Sequence, residues 1–210
     1  MVNIYVYCKS MEEQSTEDKI KEAARKVFIT KGMTGARMQE IADLANINKA
    51  LLHYYYRSKE QLFHAIFDDI IQDMLPGLFS ILNSRVPLEV KVYQLADKYM
   101  EFLSKRPELP LFVMNELQRH PDQLIQRLNL NKGIDFTVLK EQLEEEYQKG
   151  NIREITVEMF ILNLISLLVF PFAGRILFKS IAQMEESSFA QFMELRKTEV
   201  PKFVMNALRP

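Results

Sequence analysis

The chain has 210 residues, of which 48% are hydrophobic and 26% charged; this balance is typical of a globular protein and excludes a disordered chain. Glycine and proline are scarce, and the polar residues are mostly Glu, Gln, Lys and Arg, which favours an all-helical fold. The net charge of −1 neither indicates nor excludes a nucleic-acid partner, whereas the single cysteine, Cys8, excludes an internal disulfide framework and fits a reducing cytoplasm.

Residues 1–14 precede the first predicted helix. The opening MVNIYVYCKS has no basic region, and its apolar run is too short for a signal peptide. We therefore expect a flexible N-terminal extension, and Met11 is an alternative start of translation.

The first predicted helix begins at Ser15 or Thr16, either of which can cap its N-terminus. Apolar residues then recur at helical spacing from Ile20 to Phe28, and Gly32 is expected to end the helix. Between Thr16 and Glu60 the chain carries nine Lys and Arg against six Asp and Glu. This local excess of positive charge permits a surface that faces phosphates.

The next two predicted helices have the spacing of a helix-turn-helix over about 37–56. Ala42 is the small residue where two helices cross closely, and Asn46 is a turn residue that tolerates positive φ. Ile47 follows the turn, and Leu52 is the apolar anchor of the second helix. The pattern therefore predicts a helix-turn-helix motif.

A fourth helix should begin after Ser58 and end at Pro76–Gly77. The rest of the chain reads as further helices, over roughly 78–84, 88–105, 108–119, 122–129, 134–149, 155–182 and 186–207. The apolar run MFILNLISLLVFPFAG contains Asn163, Ser166 and Pro171, which favours a buried helix over a membrane span.

The first 75 residues resemble the tetracycline-repressor (TetR) family of bacterial regulators, through IKEAARKVFITKG and MQEIADLANINKALLHYYYRSKEQLF. The resemblance implies an all-α protein in which an N-terminal three-helix helix-turn-helix DNA-binding domain, residues 15–75, is joined to a C-terminal helical ligand-binding and dimerisation bundle, residues 76–210. It further implies a cytoplasmic, ligand-responsive transcriptional regulator, most often a repressor, that binds a near-palindromic operator as a dimer.

Matching by position, the resemblance implies ten DNA-binding residues: Arg37, Gln39, Asn48, Lys49, Ala50, Leu51, His53, Tyr54, Tyr55 and Lys59. Lysines neutralise phosphates, amides hydrogen-bond to base edges or backbone, and tyrosine hydroxyls donate to phosphate oxygens. Tyr56 falls where the family keeps a buried aromatic residue. Because the family commonly has Gly and Thr at positions 50 and 51, the operator sequence does not carry over.

The C-terminal half is implied to bind a small effector and to form a homodimer through its last two helices, about 155–182 and 186–207. The dimer would present two recognition helices about one DNA turn apart, roughly 34–36 Å. Polar residues within apolar helices, and adaptable apolar residues near them, are the candidate effector contacts: Tyr99, Met100, Met114, Phe136, Phe160 and Asn163. The helix from Ser58 to Leu75 is the expected link between the halves.

Two other classes of function stay open at this point. An enzyme is one, although the sequence has no phosphate-binding glycine loop and no metal cluster among His53, His64 and His120. His64 and Asp68 are one helical turn apart, which permits a metal pair but is more typical of a surface hydrogen bond. We expect no catalytic residue, metal or cofactor. The other alternative is a helical small-molecule-binding or interaction protein without specific DNA binding.

Overall fold

The computed structural model describes residues 15–107, 109–119, 121–128 and 135–210. All regular structure in these ranges is helical, which confirms the predicted all-α fold. The helices are α1 (Thr16–Gly35), α2 (Met38–Leu44), α3 (Lys49–Tyr55), α4 (Lys59–Asn83), α5 (Leu88–Lys105), α6 (Leu109–Arg119), α7 (Pro121–Leu128), α8 (Thr137–Gln148), α9 (Val157–Ala173), α10 (Arg175–Ile181) and α11 (Glu186–Leu208). The predicted extension, residues 1–14 with Cys8, lies outside the described residues, as does His120.

The chain divides into two compact units, of which the first ends at Asp68 and the second runs from Asp69 to Pro210. The division falls inside α4, so this helix supplies residues to both units. The domain boundary that the sequence predicts, between residues 75 and 76, falls in the same helix.

The first unit follows the local signals of its sequence. The Ser15 hydroxyl oxygen accepts a hydrogen bond from the Asp18 amide at 3.1 Å and so caps α1. Gly32 interrupts the helical geometry of α1 with φ 65° and ψ 174°, a backbone conformation open to glycine. Phe28 and Phe63 meet edge to face in the core, with ring centroids 5.1 Å apart. Burial of this apolar stripe fixes α1 against the first turns of α4.

The core of the second unit is formed mainly by α5, α9 and α11. Leu95 and Met100 of α5, Phe160 and Leu164 of α9, and Val204 of α11 are all buried in one apolar cluster. The buried positions recur three or four residues apart on each helix, as expected for helices with one face in the core.

The fourth helix is longer than predicted, because Pro76 does not end it. α4 continues through Pro76 and Gly77 to Asn83, so the predicted separate helix over 78–84 is its last two turns. A proline inside a helix removes one backbone hydrogen bond. Leu78 and Leu82 are buried in the core of the second unit, and this burial offsets the lost bond.

The predicted helix over 155–182, the first of the two predicted dimer helices, is wrong as a single element. α9 ends at Ala173, and α10 leaves Gly174 at an angle of 74° to it. Packing against α11 explains the bend: Phe178 stacks on Phe192 with ring centroids 5.2 Å apart. The Lys179 ammonium also pairs with the carboxylate of Glu186 at 2.7 Å.

The apolar run that forms α9 and α10 was the candidate membrane segment in the sequence. No single helix in the described ranges combines the length and the apolar character needed to cross a bilayer. The bent pair α9 and α10 meets those criteria only when the two helices are taken together, by length and composition.

Candidate functional site

The turn between α2 and α3 has the geometry that the sequence predicts for a helix-turn-helix. Asn46 has φ 55°, which confirms the predicted positive φ at this position. The Ile47 amide donates to the Ala42 carbonyl at 3.0 Å and closes the turn. Ala42 and Leu52 are fully buried, so α2 and α3 are held together by the two predicted contacts.

The outward face of α3 carries the side chains that the sequence assigns to DNA. Lys49, Ala50, His53 and Tyr54 are exposed on one side of the helix, and Tyr54 exposes 82% of its surface. The neighbouring Tyr55 is 40% exposed, and its ring meets that of Tyr54 edge to face at 5.7 Å. The ammonium group of Lys49, the hydroxyls of Tyr54 and Tyr55 and the imidazole of His53 thus share one accessible surface.

The two predicted amide contacts already have partners within the protein. The Asn48 side-chain oxygen accepts from the Leu51 amide at 2.7 Å, so Asn48 is the N-cap of α3. The Gln39 side-chain amide donates to an Asp43 carboxylate oxygen at 2.8 Å on the surface of α2. Leu51 is partly buried beside the cap. The contacts of these three residues with DNA stay predictions.

The positively charged residues near the helix-turn-helix differ in the hydrogen bonds and ion pairs that they form within the protein. The Lys59 ammonium donates to the Ala36 carbonyl at 3.0 Å, which ties the start of α4 to the α1–α2 connection. Lys31 pairs with Glu40 at 2.6 Å. In the described ranges the exposed side chains of Arg37 and Lys49 have no ion-pair partner. Their charges are therefore available to an anion.

Tyr56 differs from its two neighbours because it is only 8% exposed, which confirms its predicted burial. Its hydroxyl donates to the Glu17 carboxylate at 2.9 Å, and the Lys21 ammonium pairs with the same carboxylate at 3.1 Å. The hydrogen bonds from Lys21 and Tyr56 lower the pKa of Glu17. Sequence reasoning missed Glu17, because nothing local links it to a tyrosine 39 residues away.

A cavity of about 380 Å³ lies within the second unit, between α4, α5, α6 and α9. Its wall consists of twenty residues, of which none is charged and only Tyr99 has a hydroxyl. Met114, Leu117 and Ile165 are the most exposed side chains of this wall, which places the mouth between α6 and α9. The volume falls at the lower end of the range for small-molecule sites.

The six predicted effector contacts divide among three places. Tyr99, Met114 and Phe136 line the cavity. Phe160 and Asn163 instead line a groove of about 350 Å³ between α9 and α11, which also includes Arg153. Met100 is fully buried in the core and is not part of either wall. In the described ranges, no three His, Cys, Asp or Glu side chains are grouped to hold a metal ion.

The sequence of the first unit matches a known family. Residues 20–66 match the model of the bacterial regulatory proteins of the tetR family. The HTH-type transcriptional repressor NicS of Pseudomonas putida is 30% identical over 128 residues, which are 60% of this chain and 54% of NicS. The matched segment thus spans about half the length of this relative.

The fold is shared by solved structures over nearly the whole chain. Regulator FadR of Bacillus subtilis, solved in complex with stearoyl-CoA, superposes with a TM-score of 0.64 and 17% identity, over 91% of this chain and 98% of that one. The fatty acid degradation regulator FadR of Bacillus halodurans gives a TM-score of 0.62 and 18% identity, over 90% and 94% of the two chains. At such identities the likeness shows the fold alone.

Proposed function

We propose that this chain, whose residues 20–66 match the tetR family of bacterial regulatory proteins, is a ligand-responsive transcriptional repressor that binds a near-palindromic operator as a homodimer in the cytoplasm. The observation that carries the proposal is the exposed face of α3. This face projects from a helix-turn-helix whose turn, buried anchor and N-cap all have the required geometry.

Binding to phosphates would draw on the side chains that keep their charge or hydroxyl accessible. Lys49 stands at the first position of α3, and Arg37 at the N-cap of α2, both exposed. Tyr54 presents a hydroxyl beside them on the α3 face. Lys59, whose ammonium donates to the Ala36 carbonyl at 3.0 Å, adds a positive charge at the first position of α4.

A second copy would cover apolar side chains that α9 and α11 expose. Leu162 and Phe170 of α9 are 61% and 63% exposed, and Leu195 and Phe203 of α11 are 64% and 63% exposed. The two helices contact one another, and exposed apolar side chains on adjoining helices are a surface that a protein interface can cover. A twofold interface through these helices would pair two α3 helices for the two halves of an operator.

Regulation would follow from binding in the cavity of the second unit. α4 starts at Lys59 beside the helix-turn-helix and contributes lining residues from Ile71 to Leu82. An effector that prefers one arrangement of α4 would shift the population towards it and change operator affinity. The stearoyl-CoA bound to Bacillus subtilis FadR makes acyl-bearing molecules one candidate class.

The proposal is tested by selecting genomic fragments with the purified protein and measuring their binding as salt is varied. Lys49→Ala should weaken binding to the selected operator and lower the slope of log affinity against log salt by about one. Lys140→Ala, at an exposed lysine of α8, is the matched control and should bind as the unmodified protein does. Failure to enrich any fragment would exclude the regulator, and ligand binding without operator binding would favour the alternative of a helical small-molecule-binding protein.

A further inference from the structure

The wall of the cavity has no group that can balance a charge. Every lining side chain is aliphatic, aromatic, proline or methionine apart from the Tyr99 hydroxyl. Placing an ionised carboxylate or ammonium in such surroundings without a partner costs several kcal/mol, so a charged ligand group would have to stay at the mouth.

The buried Lys91 of α5 is a possible counter-ion, but it is not part of the cavity wall. Its ammonium donates to the Leu82 carbonyl at 2.8 Å and to the side-chain oxygen of Gln142. Leu82 lines the cavity, whereas Lys91 and Gln142 do not. Lys91 therefore holds the end of α4 and is not offered to a ligand.

The Tyr99 hydroxyl is the one polar side-chain group on the wall, and it lacks a partner. No hydrogen bond joins it to any other group in the described part of the chain. Burial raises the pKa of Tyr99 to about 12, so the hydroxyl keeps its proton at neutral pH and can both donate and accept. A ligand oxygen could therefore bond to this hydroxyl without breaking a hydrogen bond within the protein.

We infer that the cavity selects a neutral molecule with an apolar body and one hydrogen-bonding oxygen, and that the Tyr99 hydroxyl anchors this oxygen. Alcohols, esters and ketones of suitable length belong to this class, whereas molecules that would place an ionised group against the apolar wall do not. The inference rests on the proposed function only in taking the cavity as the effector site.

Calorimetric titration of the purified full-length protein compares its affinity for decanol, decanoate and decyltrimethylammonium. These ligands are neutral, anionic and cationic, and each carries a ten-carbon chain. We expect decanol to bind at least about tenfold more tightly than either ion at neutral pH, since a tenfold difference is only about 1.4 kcal/mol. Equal or tighter binding of decanoate or decyltrimethylammonium would overturn the neutral class. Absence of decanol binding would overturn it too.

Tyr99→Phe removes the hydroxyl and keeps the ring. Decanol affinity should fall about fivefold, equivalent to about 1 kcal/mol for a neutral hydrogen bond, and the affinity for hexylbenzene should change by less than about twofold. Tyr93→Phe, at a partly buried tyrosine of α5 outside the wall, is the matched control and should change neither affinity. An unchanged decanol affinity in Tyr99→Phe would refute the anchor.

These titrations do not involve DNA, so their outcome is independent of operator binding. If decanol binds through Tyr99 but leaves operator affinity unchanged, the ligand class stands and the proposed regulation fails. If operator binding is specific but the cavity takes only ions, the regulator stands and this inference fails.

Discussion

Replacing Tyr56 by phenylalanine tests whether the bond to Glu17 holds the recognition helix in place. The hydroxyl lies 2.9 Å from the Glu17 carboxylate, and Tyr56 is the C-cap residue that follows α3. A hydrogen bond to a charged group contributes about 1.5–3 kcal/mol when buried. Because the Glu17 side chain is 48% exposed, water can replace part of this hydrogen bond. We therefore expect Tyr56→Phe to lower the free energy of opening α3 by about 1 kcal/mol.

Hydrogen exchange of the α3 amides measures this effect, since exchange reports the free energy of opening at each amide. Tyr54→Phe is the matched control on the same helix: its hydroxyl is exposed, so its removal should change the opening free energy by less than about 0.5 kcal/mol. When Glu17 is already replaced by Gln, Tyr56→Phe should cause almost no further decrease in the opening free energy. An equal loss in both backgrounds would refute the coupling of these two side chains.

The same bond gives a pH dependence with a definite sign. Lys21 and Tyr56 lower the pKa of Glu17 in the folded protein, so folding favours the ionised carboxylate. The stability that this group contributes is complete above its unfolded pKa and is lost as pH falls through the lowered folded pKa. The difference between Tyr56→Phe and the unmodified protein should therefore shrink in acid and be constant near neutral pH.

Two further sets of substitutions test the turn and the buried lysine. Asn46→Val should destabilise the first unit by about 1–3 kcal/mol, because a β-branched residue is strained at φ 55°. Asn46→Gly should not destabilise it, because glycine adopts this conformation freely. Equal rates of amide hydrogen exchange in the two variants would contradict this interpretation. Gln142→Leu removes the acceptor of Lys91 and the donor to the Val86 carbonyl at 2.6 Å, and should lower the urea-unfolding free energy by about 2–4 kcal/mol. Adding Lys91→Met should restore much of that stability, and no recovery would show that the ammonium is not the group left unsatisfied.

The parts of the fold that the sequence predicted correctly depend on contacts within a few residues. Ser15 caps α1, Gly32 leaves helical geometry, and Asn46 turns at positive φ, each for a reason contained in its own segment. The helix-turn-helix follows from these signals together with the buried pair Ala42 and Leu52.

The errors occur where contacts distant in sequence outweigh a local signal. Pro76 has the local properties of a helix end, yet burial of Leu78 and Leu82 in the second unit carries α4 onwards. The apolar run after residue 155 has the local properties of one helix, yet Phe178 and Glu186 bring α10 onto α11. The sequence does not show that these distant contacts outweigh the local signals, because their energies depend on elements that are far apart in the chain.

The two candidate sites differ in predictability for a related physical reason. A DNA-facing surface departs from the rule that apolar residues are buried, so exposed tyrosines and a lysine beside a helix-turn-helix are visible in the sequence. An apolar cavity obeys the same rule as the core. Met100 and Met114 are alike in the sequence, but the first fills the core while the second stands at a cavity mouth. The distinguishing feature of the cavity is the lone Tyr99 hydroxyl, whose meaning depends on having no partner, and a missing partner can be seen only in three dimensions.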